Sequence, residues 1–213
     1  MKRIVFLLPL LLIQACGSGI WIVPLSDSVV FIGDSITANW GGQSIFQAHK
    51  NWINKGISGQ TSREVAARFD NDVLLIHPST VHIIVGTNDV YPGWTLCKGD
   101  RGTCSPMQSM VAKAKKYGIK VVIGTIPPWG CADNPNCGLS VIDETAARYD
   151  RIRQLNEWLK TFAAEQDVTF VDYHAALTDA SGLHYTEGLT IDGVHPSPEG
   201  FAVMQPLVES ALP

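Results

Sequence analysis

A chain of 213 residues, 46% of them apolar and with a formal net charge of −4, fits one domain with a full-sized core. Nothing in this mild acidity suggests a polyanion partner, and no nucleic-acid partner is expected. The densest basic cluster, Lys113-Ala114-Lys115-Lys116, has the spacing of a solvated helix face.

The chain starts with "MKRIVFLLPLLLIQACGSG". Two cations precede about ten apolar residues, which span roughly 15 Å of helix, half a bilayer core. Residues 1–15 therefore read as an export signal rather than an anchor. Ile13-Gln14-Ala15-Cys16 resembles a bacterial lipobox, which makes Cys16 the expected lipidated N-terminus of the mature protein. Residues 16–27 form an N-terminal linker and 28–213 the folded domain. The expected location is periplasmic or membrane-anchored, with plain secretion as the alternative. A lipidated terminus would hold the protein on a membrane surface without a spanning helix.

Ser28-Val29-Val30-Phe31-Ile32-Gly33 reads as a buried strand ending at a sharp turn. Ser35, just beyond it, is either a helix N-cap or a nucleophile. A weaker strand candidate, Trp52 to Gly56, leads into Gly56-Ile57-Ser58-Gly59. Thr61-Ser62-Arg63-Glu64 opens a capped helix with Val65, Phe69 and Val73 on one face. Residues 81–86 form a third strand, stopped by Thr87-Asn88-Asp89, and His82 within it reads as a satisfied core residue. A helix from about 106 to 117 ends at Gly118. Residues 120–126 form the fourth strand, broken by Pro127-Pro128. The longest helix runs from about 142 to 165, burying Tyr149, Ile152, Leu155, Trp158, Leu159 and Phe162. A fifth strand covers 168–172 and a last helix 198–212.

Strands alternate with helices and are almost wholly apolar, as parallel strands covered on both faces must be. The fold class is therefore α/β, a three-layer α/β/α sandwich. Loops at the carboxyl ends of such strands converge on the ligand crevice. Besides Cys16 the cysteines are Cys97, Cys104, Cys131 and Cys137, which in an exported protein imply two disulfides. Pairing Cys97 with Cys104 and Cys131 with Cys137 is the simplest of three connectivities. The spacings do not match paired Cys-x-x-Cys zinc ligands.

"IDGVHPSPEG", residues 191–200, supplies what a serine nucleophile needs. His195 can take the Ser35 proton through one ring nitrogen while Asp192 orients the other. The N–H groups of Ser35 and Gly59 and the side-chain amide of Asn88 can receive an oxyanion. The plainer alternatives are a cap role for Ser35, a positive φ for Gly59, an N-cap role for Asn88 and an ordinary loop histidine at 195. His49, His77, His174 and His184 show no ligand spacing.

"GDSIT", "NKGISGQTS", "GTND" and "DGVHP" resemble, in order and spacing, the four sequence blocks of the GDSL-type SGNH hydrolases, from residue 29 to about 210. The resemblance implies a five-stranded parallel, flavodoxin-like sheet in the order 2-1-3-4-5. It also implies Ser35 as nucleophile, Gly59 and Asn88 as oxyanion donors, and Asp192 with His195 completing a triad. The implied activity is cleavage of an acyl ester, less often a thioester, through an acyl-enzyme. No cofactor, metal or obligate protein partner is expected. Trp40, Trp94 and Trp129 follow the first, third and fourth strands and either line the cleft or cover core. A small-molecule or glycan ester, such as carbohydrate acetate, is the expected substrate, with a lysophospholipid as the alternative. Two other classes compete. A metal-dependent phosphoesterase would use Asp34, Asn88, Asp192 and His195 as ligands. A non-catalytic binding module would be expected to carry a Gly-rich phosphate loop, and the first turn has none.

Overall fold

The structure, a computed structural model, describes residues 27–90, 96–97, 102–130 and 145–212. Strands β1 (Val29–Gly33), β2 (Trp52–Gly56), β3 (Thr80–Ile84), β4 (Lys120–Gly124) and β5 (Thr169–Val171) form one sheet in the order β2-β1-β3-β4-β5. All four pairings are parallel, as the resemblance implies.

Side chains alternate across the pleat of a strand, and each face of β1 meets its own apolar layer. Val30 and Ile32 pack into a core built with α3 (Ser62–Asp72), α4 (Cys104–Lys116) and α5 (Thr145–Gln166). Val29 and Phe31 point the other way. They join α1 (Ser35–Gly41), α2 (Ser44–Gln47), α6 (Tyr173–Leu177) and α7 (Pro198–Ala211). This explains why β1 carries no polar residue. Phe31 is fully buried against Trp40, Phe46 and Trp52, a burial that stabilises by on the order of 3 kcal/mol.

The helix stripes fall largely where the periodicity puts them, although Tyr149 and Trp158 of the long helix are only half-buried. Val65, Phe69 and Val73 are fully buried, as are Leu155 and Leu159, with Ile152 and Phe162 nearly so. Glu64 accepts from the Thr61 N–H at 2.8 Å and the Thr61 hydroxyl at 2.7 Å, closing the start of α3. Gly118, φ +69°, follows α4 as its expected stop.

Several boundaries differ from expectation. β3 ends at Ile84, because Gly86, φ +139°, turns the chain out of the sheet. β4 ends at Gly124. There the Asn156 side chain of α5 takes over the backbone of Ile126, accepting from its N–H at 3.0 Å and donating to its carbonyl at 2.9 Å. Helix α4 starts at Cys104, earlier than expected. Residues 142–144, the expected start of the long helix, lie outside the described residues. The short helices α1, α2 and α6 were not expected from the pattern, since one or two turns show too few periods to read.

Candidate active site

The turn after β1 is built so that a hydroxyl stays uncommitted to the backbone. Asp34 is the N-cap of α1, its Oδ1 accepting from the Ile36 N–H at 3.0 Å. Ser35 is thus the first helical residue rather than the cap, which corrects the capping alternative. The carboxylate takes the orphan amide, and the Ser35 hydroxyl is left to bond elsewhere. Gly33 lets β1 and β3 close tightly here: a Cβ on it would lie 2.0 Å from the Ile84 carbonyl oxygen.

Ser35 Oγ lies 2.8 Å from His195 Nε2, and His195 Nδ1 lies 2.7 Å from Asp192 Oδ2. Asp192 Oδ1 also accepts from the N–H groups of Val194, at 2.9 Å, and His195, at 2.8 Å. One carboxylate therefore folds the loop and holds the ring. Partial burial opposes its ionisation, but the His195 amide and ring and the Val194 amide together keep the Asp192 carboxyl below its ordinary value.

The loop is braced on every side. The buried Tyr185 hydroxyl donates to the Val194 carbonyl at 2.9 Å, and the Thr190 hydroxyl to that of His195 at 2.8 Å. The Gly130 N–H, beyond β4, donates to Gly193 O at 2.7 Å. Downstream, Ser197 caps α7 by accepting from Gly200 N and donating to Gly188 O. Tyr185 and Thr190 were not among the residues singled out from the sequence. Their role runs through backbone carbonyls, which leave no residue-type signal.

Gly59 lies in the loop after β2 and Asn88 in the loop after β3, the two strands that flank β1. Gly59 has φ +79° with open space where a Cβ would stand, so the conformational reason for glycine holds here. Among the described residues its N–H has no protein acceptor. The Asn88 Nδ2 donates to Gln60 O at 3.0 Å, and α4 starts far beyond it, so it is no N-cap. An amide nitrogen carries two hydrogens, which leaves one for a ligand. Asp89 accepts from the Ser62 N–H and, at 2.6 Å, from its hydroxyl, pinning the two loops together. Burial raises the Asp89 carboxyl above its ordinary value, against those Ser62 bonds. Burial also pushes the Asp34 carboxyl up to about 7, opposed by the Ile36 N–H and reinforced by the Asp89 charge. Among the described residues its Oδ2 has no hydrogen-bond partner.

Other expected residues fall elsewhere. Trp40 is fully buried, stacked on Phe201 with centroids 5.8 Å apart and donating from Nε1 to Gln205 at 3.2 Å. It is core and not cleft, because α1 points Ile36 and Trp40, one turn apart, toward the sheet. Trp129 is half-buried beside the Gly130–Gly193 contact, with the Arg148 guanidinium 4.1 Å above its ring. Trp94 lies outside the described residues, as do Cys16, Cys131 and Cys137. Cys97 and Cys104 are joined, Cα atoms 4.8 Å apart, as the local pairing expects. His82 is fully buried with Nε2 2.9 Å from the Tyr173 hydroxyl, but among the described residues its Nδ1 has no partner. It is satisfied at one nitrogen only, and burial lowers it to about 3, so it is neutral.

A hydroxyl, an imidazole and a carboxylate bonded in series at the ends of neighbouring strands can carry out acyl transfer. The model of the GDSL-like Lipase/Acylhydrolase family matches residues 31–203. The chain is 29% identical over 160 residues to an acetylxylan esterase of Geobacillus stearothermophilus, covering 71% of this chain and 67% of that protein. Among solved structures it resembles a GDSL-like lipase of Bacteroides thetaiotaomicron, at 30% identity, 87% of each chain covered and a TM-score of 0.74. It also resembles a mutant acetyl-xylooligosaccharide esterase of Geobacillus stearothermophilus, at 25% identity, 91% and 96% covered and a TM-score of 0.65.

Proposed function

The chain belongs to the GDSL-like lipase/acylhydrolase family, and from that membership we propose that it is a serine esterase removing short acyl groups, carbohydrate acetyl groups above all. His195 Nε2 accepts the Ser35 proton as Oγ attacks the ester carbon. Asp192 holds the Nδ1–H and stabilises the imidazolium. The carbonyl oxygen, now an anion, is received by the Ser35 and Gly59 amides and the Asn88 side chain, donors already oriented before the charge develops. His195 then protonates the leaving alkoxide. Water, activated by the same ring, attacks the acyl-enzyme and releases acid and free Ser35.

The observation that carries this reading is the unbroken Ser35–His195–Asp192 chain. The acetyl and glycan part rests on the acetylxylan esterase relative. Acetylated xylooligosaccharides, nitrophenyl esters of graded chain length and lysophospholipids should be assayed in parallel, with mass spectrometry after a fluorophosphonate. The expected result is turnover greatest on acetyl esters and a single adduct on Ser35. Turnover confined to lysolipids would replace the acyl preference, and labelling elsewhere would remove Ser35. In the same reading Cys16 carries lipid, so fatty-acid labelling of expressing cells should be lost in Cys16→Ser.

A further inference from the structure

We infer that Arg68 is the positioning residue of the oxyanion cradle: its guanidinium ties the ends of β1 and β2 to Gln60, and so fixes Gly59 and Asn88 relative to Ser35. The inference rests on the esterase reading above and extends it to a residue that touches no substrate.

Arg68 lies on α3, its side chain 14% exposed. Nη2 donates to Gly33 O at 2.9 Å, Nη1 to Lys55 O at 2.7 Å and to Asp72 Oδ2 at 2.7 Å, and Nε to Gln60 Oε1 at 2.6 Å. Gly33 and Lys55 belong to the last residues of two neighbouring parallel strands. Gly33 is two residues before Ser35. Gln60 is the residue after Gly59, and its own carbonyl accepts from the Asn88 amide at 3.0 Å. A single planar cation thus touches the nucleophile's strand and the Gly59 loop, and through Gln60 it reaches Asn88.

An ordinary reading would take Arg68 and Asp72, four apart on a helix, as a surface ion pair, contributing little. That pair uses one of the four bonds. The other three converge on groups that carry the cradle, and they need the fixed fork of a guanidinium. A lysine ammonium, a point charge on a flexible stem, cannot match them. Two strand ends and a loop held by one rigid group cannot drift independently, and cradle donors act only if placed before the charge appears.

The test measures kcat, KM and the acid limb of the pH profile on nitrophenyl acetate for Arg68→Met, Arg68→Lys, Asn88→Ala and the double variant Arg68→Met/Asn88→Ala. Arg68→Met should lower kcat by about 10- to 100-fold, the scale of a misplaced catalytic group, with KM and the acid limb nearly unchanged because the triad is untouched. Lysine should not restore the rate. The double variant should lose far less than the product of the single losses, as coupled residues do. Multiplicative losses, full rescue by lysine, or a wild-type kcat in Arg68→Met would overturn the inference. Should Arg68→Met not fold by circular dichroism, Gln60→Ala, which removes only the Nε bond, replaces it in the same cycle. A wild-type rate in Asn88→Ala would instead strike at the cradle reading itself, whatever Arg68 does.

Discussion

His195 Nε2 meets the Ser35 hydroxyl at 2.8 Å across a sequence separation of 160 residues, and the Asp192, Tyr185 and Thr190 bonds hold the loop that carries the imidazole. Ser35→Ala should lower kcat by about a millionfold, the scale of a lost triad nucleophile, with an unchanged melting temperature. A base must be unprotonated to accept the Ser35 proton, so wild-type hydrolysis should fall at low pH. Asp192 is held below its ordinary value by the His195 and Val194 bonds, against the opposing effect of burial. Steady-state rates from pH 5 to 9 check both points, and a flat profile would remove His195 from the role of base.

Asp34 leads to a prediction of opposite sign. Its folded-state pKa is about 7, raised mainly by burial, whereas in the unfolded chain it is about 4. The folded state therefore holds the extra proton between those values, and this residue's contribution to stability declines as pH rises from about 4 to 7. Asp34→Asn keeps a good N-cap and abolishes the titration. Its melting temperature relative to wild type should rise with pH over that window and level off above it. Parallel thermal melts at pH 5 and 8 decide the matter, and equal differences at the two would count against a neutral Asp34.

Tyr185→Phe leaves the Val194 carbonyl without its donor. The lost bond to this half-buried carbonyl costs about 1 kcal/mol, and the loop holding Asp192 and His195 loses a brace. The expected outcome is a lower denaturation midpoint together with a reduced kcat and little change in KM. Urea titration and steady-state kinetics on the same preparation read both.

Cys97→Ser opens a short covalent loop of sequence separation 7. In the chain-entropy model such a loop contributes about 2 kcal/mol. Differential scanning calorimetry should show a lower melting point, and the variant should no longer respond to a change in redox state at this pair.

How much of this was legible in the sequence depends on whether side chains or backbone carry the contact. The strands announced themselves because both faces of the sheet are covered, leaving Val-Val-Phe-Ile with no polar position. Ser35, Asp192 and His195 could be grouped because strand-end loops of a parallel sheet share one rim. The sheet order came from the family resemblance and not from spacing, since periodicity says nothing about which strands are neighbours. The cap role went to Asp34, although an aspartate just before a helix is a recognisable N-cap signal. Trp40 was unreadable because α1, Ser35–Gly41, is too short to display an apolar face. Arg68 was not singled out from the sequence, since three of its partners are two main-chain oxygens and a glutamine in a loop.

The nucleophile is made early in the chain and its base late. During synthesis, a polypeptide that already carries the complete Ser35 turn has no imidazole to activate it until residue 195 has emerged and docked. Likewise, loss of the segment from Asp192 onward would leave the five strands in place but the hydroxyl without its base. Competence for acyl transfer therefore reports on completion of the whole domain.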